Sequence, residues 1–287
     1  MPELPEVETV RRGLEPVLAG SRLARVEARR PDLRFPLPEG FVQRLTGARI
    51  ESLGRRAKYI LATLDRGDVL VMHLGMSGRF EITGNTASRR PGEFAYAAPP
   101  DPKHAHVVFE TEAGDVVTYF DPRRFGYMGL IPAAELDRHP WFLGLGPEPL
   151  GAAFSAAHLA DAFAGRRQSV KATIADQRVV AGLGNIYVCE ALHRARISPL
   201  CAAGDVAARA RARLVAAVKS VLAEAIHAGG STLRDYAAAD GALGYFQHRF
   251  RVYGREGEPC LRDRCPGVIE RSVQAGRSTF HCRACQR

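Results

Sequence analysis

No apolar run in the 287 residues reaches the roughly 20 needed to cross a bilayer, which excludes a membrane-spanning helix. No hydrophobic signal segment follows Met1, so the chain is expected to be soluble and cytoplasmic. No long internal repeat is present, which argues against a solenoid or a propeller. Cysteine is scarce and badly placed for a disulfide scaffold: of six, Cys189 and Cys201 stand alone in mid-chain and four crowd between Cys260 and Cys285. A cytosolic chain does not keep such a set oxidised, and metal is the better account of the last four. Acids are in deficit, 31 against 40 Lys and Arg, which leaves a net charge of +9 and a pI near 9.6.

Apolar residues make up 46% and charged residues 25%, an ordinary globular balance, and the length predicts two domains. PEVETVRRGLEPVLAG reads as a helix, with Pro5 near its first turn, Val7, Val10, Leu14 and Val17 on one face, and a stop near Gly20. Strand-like stretches follow: RLARVEA, ARIESLGRR, KYILATL, DVLVMHLG, HAHVVFE and DVVTYFD. Turn signals such as DRGD and EAGD separate them, as in an antiparallel sandwich or barrel. PEPLGAAF, near residues 147–154, marks a boundary, and the chain then turns helical. In its longest helical stretch Leu214, Val218, Leu222 and Ile226 form one stripe, ended by Gly229 and Gly230. The expected class is α+β. The expected divisions are an N-terminal β domain at 1–135, a linker at 136–155, a helical domain at 156–245 and a metal-bearing module at 246–287.

That last module holds nine arginines and four acids, a local excess of +5, which suits phosphate. CLRDRC, sixteen residues and CRAC bring Cys260, Cys265, Cys282 and Cys285 into a pattern that converges on one tetrahedral, structural zinc ion, with His281 a possible substitute ligand. Arg277, in AGRSTF, reads either as a solvated cation or as a phosphate contact. VVAGLGNIY reads either as a plain turn or as a phosphate clamp, in which Gly182 and Gly184 turn the backbone and Asn185 caps the next helix and offers a donor.

The start of the chain offers different chemistry. Removal of Met1 beside a residue as small as Pro2 leaves a secondary amine with a pKa of roughly 8, nucleophilic enough at neutral pH. Glu3 and Glu6 read either as acids meeting the helix dipole or as proton donors for an attack on a sugar carbon. Lys58 reads as an edge-strand lysine, a second amine or a phosphate ligand. MHLGMSGRF and FDPRRFGYM place Met76, Arg123 and Phe125 in loops, as core or loop residues or as groups that enter a duplex where a base has left.

Taken in order, PELPEVET, RRAKY, HLGMSG, DPRRFG, AGLGNIYVCEAL, GGSTLRDY, GYFQ, VYGREG and GRSTFHCRACQ resemble the bacterial formamidopyrimidine-DNA glycosylase family over the length of the chain. The resemblance implies a β-sandwich followed by a helix-two-turns-helix domain and a zinc finger, with damaged duplex DNA as partner, no organic cofactor and a monomeric state. It implies excision of 8-oxoguanine and formamidopyrimidines, then strand cleavage. Pro2 resembles the nucleophile, Glu3 the acid that protonates the sugar ring oxygen, Glu6 a supporting acid, and Lys58 a catalytic and phosphate-contacting lysine. Asn185 and Arg277 resemble the phosphate grip, with His104, Arg123 and Lys171 among the DNA contacts. Met76, Arg123 and Phe125 resemble the residues that fill the gap and face the orphaned cytosine. Glu190, Ser231 and Thr232 resemble a lesion pocket, with 230–236 as a loop that closes over the base. The four residues between Cys260 and Cys265, where two are commonest, depart from the family pattern. Two alternatives remain: a glycosylase of the same fold for oxidised pyrimidines, and a zinc-bearing DNA-binding protein that cuts nothing.

Overall fold

The computed structural model describes residues 2–84, 101–231 and 246–287. Helix α1 spans Leu4–Leu18, with Pro5 in the first turn, where its missing N–H costs no hydrogen bond. Val7, Val10, Leu14 and Val17 are buried along it, as their spacing predicts, and each stabilises the fold by about 1.5–3 kcal/mol. The helix ends at Ala19, in extended conformation, and Gly20 at φ 80° turns the chain away.

Eight strands follow: β1 (Leu23–Ala28), β2 (Ile50–Arg56), β3 (Tyr59–Leu64), β4 (Asp68–His73), β5 (Arg79–Thr83), β6 (Ala105–Thr111), β7 (Val116–Phe120) and β8 (Tyr127–Pro132). They form two antiparallel sheets in the orders β1-β6-β7-β5 and β2-β3-β4-β8, with a short helix α2 (Phe41–Leu45) between β1 and β2. β3 alternates strictly, with Ile60, Ala62 and Leu64 buried, as a strand with one inward face must. Those residues share one core with Phe80 and Ile82 of β5, Val107 and Phe109 of β6, and Val117 and Tyr119 of β7. The two sheets are thus the halves of one hydrophobic interior. DRGD and EAGD are indeed turns, with Gly67 and Gly114 at φ 82° and 85°.

Beyond the sheets lie α3 (Ala156–Phe163), α4 (Val170–Ala175), α5 (Asn185–Ala195) and α6 (Ala208–His227), then a hairpin of β9 (Ile269–Gln274) and β10 (Arg277–Cys282). Leu214, Val218 and Leu222 are buried along α6 with Ala217, Val221 and Ala225, while Ile226 is only half-buried. The chain divides into two compact units, Met1–Leu143 with Ile226–Tyr245, and Gly144–Ala225 with Phe246–Arg287. The hairpin shares a small core with α5, in which Cys189, Val252, Cys260, Ile269, Phe280 and Cys282 pack together. Among the described residues no helix is long and apolar enough to cross a membrane.

Candidate active site and nucleic-acid grip

Pro2 and Glu3 are buried where α1 begins, with Glu3 as its N-cap. Glu6, one turn later, accepts the Glu3 N–H with Oε2 at 2.9 Å, which closes a capping box and fixes the backbone on which both residues are carried. Its other oxygen, Oε1, accepts the N–H and the hydroxyl of Ser231 at 2.8 and 2.9 Å. Ser231 follows Gly230, whose φ of 85° requires glycine and whose Cα faces the Glu6 side chain too closely for a Cβ to fit at ease. One carboxylate, that of Glu6, thus closes the first turn of α1 and holds Ser231. Thr232 and the rest of the expected 230–236 loop lie outside the described residues.

Lys58 sits in the tight turn between β2 and β3 rather than on an edge strand, and it is buried. Its neighbour Ala57 takes φ 52°, and Arg55 donates to the Ala57 carbonyl at 2.8 Å, which holds the turn. The charge of Lys58 is felt by His73, whose pKa is pushed down to about 4 by burial first and then by Lys58 and Arg34. His73 is thus neutral at physiological pH. Its ring stacks on Tyr127 at 4.7 Å, and its Nδ1 accepts the Gly75 N–H at 3.0 Å, which leaves Nε2 to carry the proton.

The two loops singled out in the sequence meet. Gly75 lies against the backbone of Phe125 and Gly126, and Gly78 and Gly126 both lie against the Tyr119 hydroxyl, so none of the three has room for a Cβ. Met76 is half-buried on one loop; Arg123 and Phe125 are exposed on the other, with the guanidinium 4.8 Å from the ring centroid. Sequence reasoning passes over Asp121, which is fully buried between the loops and accepts from Ser77, Gly126, Arg123 and Tyr119. Its signal was available in the DPRRFG stretch, where attention falls on the arginines. His104 is half-buried at the end of the short turn Pro102–His104 ahead of β6, and its carbonyl accepts the Asp121 N–H at 3.1 Å.

In the second unit the residues expected to grip phosphate gather around β10. Arg277 is exposed at the tip of the hairpin, immediately after Ala275 and Gly276, both at positive φ. Asn185 does not cap α5, as its sequence position suggests; Gly184 is the cap, and the Asn185 side chain is released to donate to the Ser278 carbonyl at 2.9 Å. Lys171 is buried and donates to the same carbonyl at 3.2 Å and to the Thr279 hydroxyl at 2.8 Å. Burial pushes its pKa down. Lys171 and Asn185 are thus held on Ser278 and Thr279, the two residues that follow Arg277 along β10. Glu190, expected beside an everted base, is enclosed within this unit, where its carboxylate accepts the backbone N–H groups of Arg251, Val252 and Tyr253 at 2.9–3.1 Å.

The four C-terminal cysteines come together, with all their Sγ atoms within 4.8 Å of one another. The Cys260–Cys285 and Cys265–Cys282 separations of 3.9 and 3.7 Å match the edge of about 3.8 Å that a tetrahedron of 2.3 Å zinc–sulfur bonds demands. The donor set fits a structural Zn2+ ion. His281 lies outside the cluster, which answers its candidacy as a substitute ligand. The longer Cys260–Cys265 segment is absorbed by a turn in which the Cys265 N–H donates to the Arg262 carbonyl and Arg264 takes φ 54°.

Comparison with known proteins places this geometry in context. The formamidopyrimidine-DNA glycosylase N-terminal domain family matches residues 1–128, and the formamidopyrimidine-DNA glycosylase H2TH domain family matches residues 145–237. The chain is similar to the formamidopyrimidine-DNA glycosylase of Phenylobacterium zucineum (strain HLK1), with 71% identity over the full length of both. It is similar in structure to the Lactococcus lactis Fpg in complex with abasic-site DNA, with TM-score 0.83, 33% identity and full coverage of both chains. A mutant of that Lactococcus lactis protein, in complex with a Fapy-dG containing DNA, gives a TM-score of 0.84 at 32% identity, again over both whole chains.

Proposed function

The chain belongs to the formamidopyrimidine-DNA glycosylase family and is a bifunctional DNA glycosylase and AP lyase acting on damaged double-stranded DNA; on that premise we propose that its chemistry runs through an imine on Pro2. The observation that carries this reading is the seating of Pro2 and Glu3 at the buried start of α1, with Glu6 fixing the Glu3 amide. Once Met1 is removed, the Pro2 secondary amine attacks C1′ of the everted nucleotide and the base leaves. Glu3 protonates the sugar ring oxygen, the ring opens, and the nitrogen becomes an iminium. That cation acidifies C2′, so the 3′ phosphate leaves by β-elimination and the 5′ phosphate by δ-elimination. Lys58 contacts phosphate beside the reacting sugar.

The substrates under this reading are 8-oxoguanine and formamidopyrimidines, and the Lactococcus lactis complexes with abasic and Fapy-dG DNA support that class. Met76, Arg123 and Phe125 fill the vacated space, with Arg123 toward the orphaned cytosine. Asn185, Arg277, Lys171 and His104 serve the backbone, and Ser231, Thr232 and Glu190 serve the lesion side. Lys171 and Glu190 act from within the fold, by bracing the segments they hold. Zinc bound by Cys260, Cys265, Cys282 and Cys285 supplies folding energy to the module that presents Arg277. Residues 1–135 carry the catalysis, 136–155 the link, 156–245 the helix-two-turns-helix grip and 246–287 the finger, in a cytoplasmic monomer that visits the nucleoid during repair.

Borohydride reduction of the processed protein on duplexes carrying 8-oxoguanine or an oxidised pyrimidine, with mass mapping of the cross-link, tests the reading. A cross-link on Pro2, formed preferentially with 8-oxoguanine, is expected. Protein proven to retain Met1 is expected to bind lesion DNA without excising the base, and full activity from it would overturn the assigned nucleophile.

A further inference from the structure

The two loops that carry Met76, Arg123 and Phe125 are joined by one buried carboxylate. Asp121 Oδ1 accepts the Ser77 hydroxyl at 2.6 Å and the Arg123 N–H at 3.3 Å, and Oδ2 accepts the Gly126 N–H at 2.7 Å and the Tyr119 hydroxyl at 3.3 Å. The Asp121 carbonyl accepts the Arg124 N–H at 3.2 Å and faces His106 Nε2 at 2.9 Å. Asp121 is 0% exposed and has no ion pair with any cation among the described residues. A carboxylate kept from water without a counter-charge is costly, and it persists here because neutral donors satisfy it from two loops at once.

The placement of those donors is specific. Ser77 adjoins Met76, the Arg123 amide is itself a donor, and Gly126 adjoins Phe125. Each of the three side chains is therefore within one residue of a group bound to Asp121, although 44 residues separate Ser77 from Asp121 in the chain. Filling a vacated base position needs three side chains on two loops to arrive in one geometry. Loops that moved independently would have to be ordered at that moment, at an entropic cost.

We propose that Asp121 is a positioning residue for base eversion: it locks the two loops into a single rigid wedge and so sets the register of Met76, Arg123 and Phe125 against the duplex. The inference rests on the assignment of those three as the residues that fill the vacated space. Asp121 touches neither the reacting sugar nor the base; it acts through the three side chains.

Asp121→Asn tests it at nearly constant shape. In either orientation its amide nitrogen confronts a backbone N–H, that of Arg123 or that of Gly126, which cannot turn to accept, so one loop is released. Single-turnover excision of 8-oxoguanine opposite cytosine should slow on the order of 10- to 100-fold. Discrimination between cytosine and adenine opposite the lesion should fall with it. In a background of Met76→Ala, Arg123→Ala and Phe125→Ala, the same substitution should cost less than about twofold, because nothing remains to be positioned. An equal cost in both backgrounds would mean a general structural role and would overturn the proposal. Ser77→Ala, which removes the shortest donor to Asp121 together with a second acceptor of the Arg123 N–H, should slow excision by roughly threefold to tenfold while the melting temperature falls by only about 2–4 °C, and it decides the matter if Asp121→Asn fails to fold. Wild-type rates for both variants would also overturn it. Borohydride trapping of the unaltered protein runs in parallel. Loss of its Pro2 cross-link sinks the catalytic reading, whereas a trapped wild type with additive variant effects sinks this inference alone.

Discussion

Replacing Glu190 by alanine and by glutamine should give two very different outcomes. Oε1 alone lies within 2.9–3.1 Å of the N–H groups of Arg251, Val252 and Tyr253, while Oε2 serves only a second contact with Arg251. Alanine leaves one buried and two partly buried amides without an acceptor, at about 1–3 kcal/mol each with the partly buried ones at the low end, so a loss on the order of 4 kcal/mol is expected. That is a large share of the roughly 5–15 kcal/mol that holds a typical domain, and it corresponds to a fall in melting temperature of roughly 8–16 °C. Glutamine can place its single oxygen where Oε1 was and keep all three amides, with its Nε2 then set against the Arg251 N–H that Oε2 accepted, and about 1–2 kcal/mol is expected to be lost. Burial, the larger influence, pushes the Glu190 carboxyl above its ordinary 4.5, against the pull of the amides and of Arg194. The folded chain thus holds this proton more tightly than the unfolded chain. Its contribution is full below pH 4.5 and is lost as pH rises through the raised folded value. Glu190→Gln, uncharged throughout, should flatten that part of the stability curve. Calorimetry of both variants between pH 4 and 8, with amide exchange across 251–253, reads every term. A Glu190→Ala protein that melts within about 2 °C of the wild type would refute the reasoning.

Chelation of zinc should remove amide protection across 246–287 and abolish specific DNA binding, while the sheets of residues 23–132 stay protected; exchange with and without a chelator tests this. Arg277→Ala should weaken binding to duplexes of any sequence and lower the slope of log affinity against log salt by about one, as measured by anisotropy over a salt series. Arg277→Lys should restore part of the slope, since the charge returns without the planar fork.

Much of this was legible because it follows from periodicity and spacing. The face of α1, the six strand-like stretches and the cysteine pairs each express one local rule, and the structure has them where the rule puts them. What escaped depends on partners distant in sequence. β5 and β8 were hidden because RFEIT and YMGLIP adjoin glycine-rich loops, and their strand character comes from pairing with β7 and β4. Asn185 reads as a cap from its position after glycine, but its amide has a better acceptor 93 residues away. Lys171 and Glu190 are charged and thus read as surface or site residues, yet both are buried because the hairpin and the 251–253 segment offer them full hydrogen bonding. Asp121 is invisible to any rule that looks only for arginines and aromatics near DNA.

One strand connects the cysteine cluster and Arg277 through parity. Side chains alternate along β10, so Phe280 and Cys282 share the face that packs into the core with Cys189 and Val252, while Arg277 belongs to the other set. Adding or deleting a single residue between 277 and 282 would exchange the faces, turning Arg277 onto the face of Phe280 or pulling the Cys282 thiol out of the cluster. Length in this module can therefore vary only where parity carries no meaning. The turn from Leu261 to Arg264 is such a place, held by a backbone bond and one left-handed residue, and it is there that the chain carries its longer spacing.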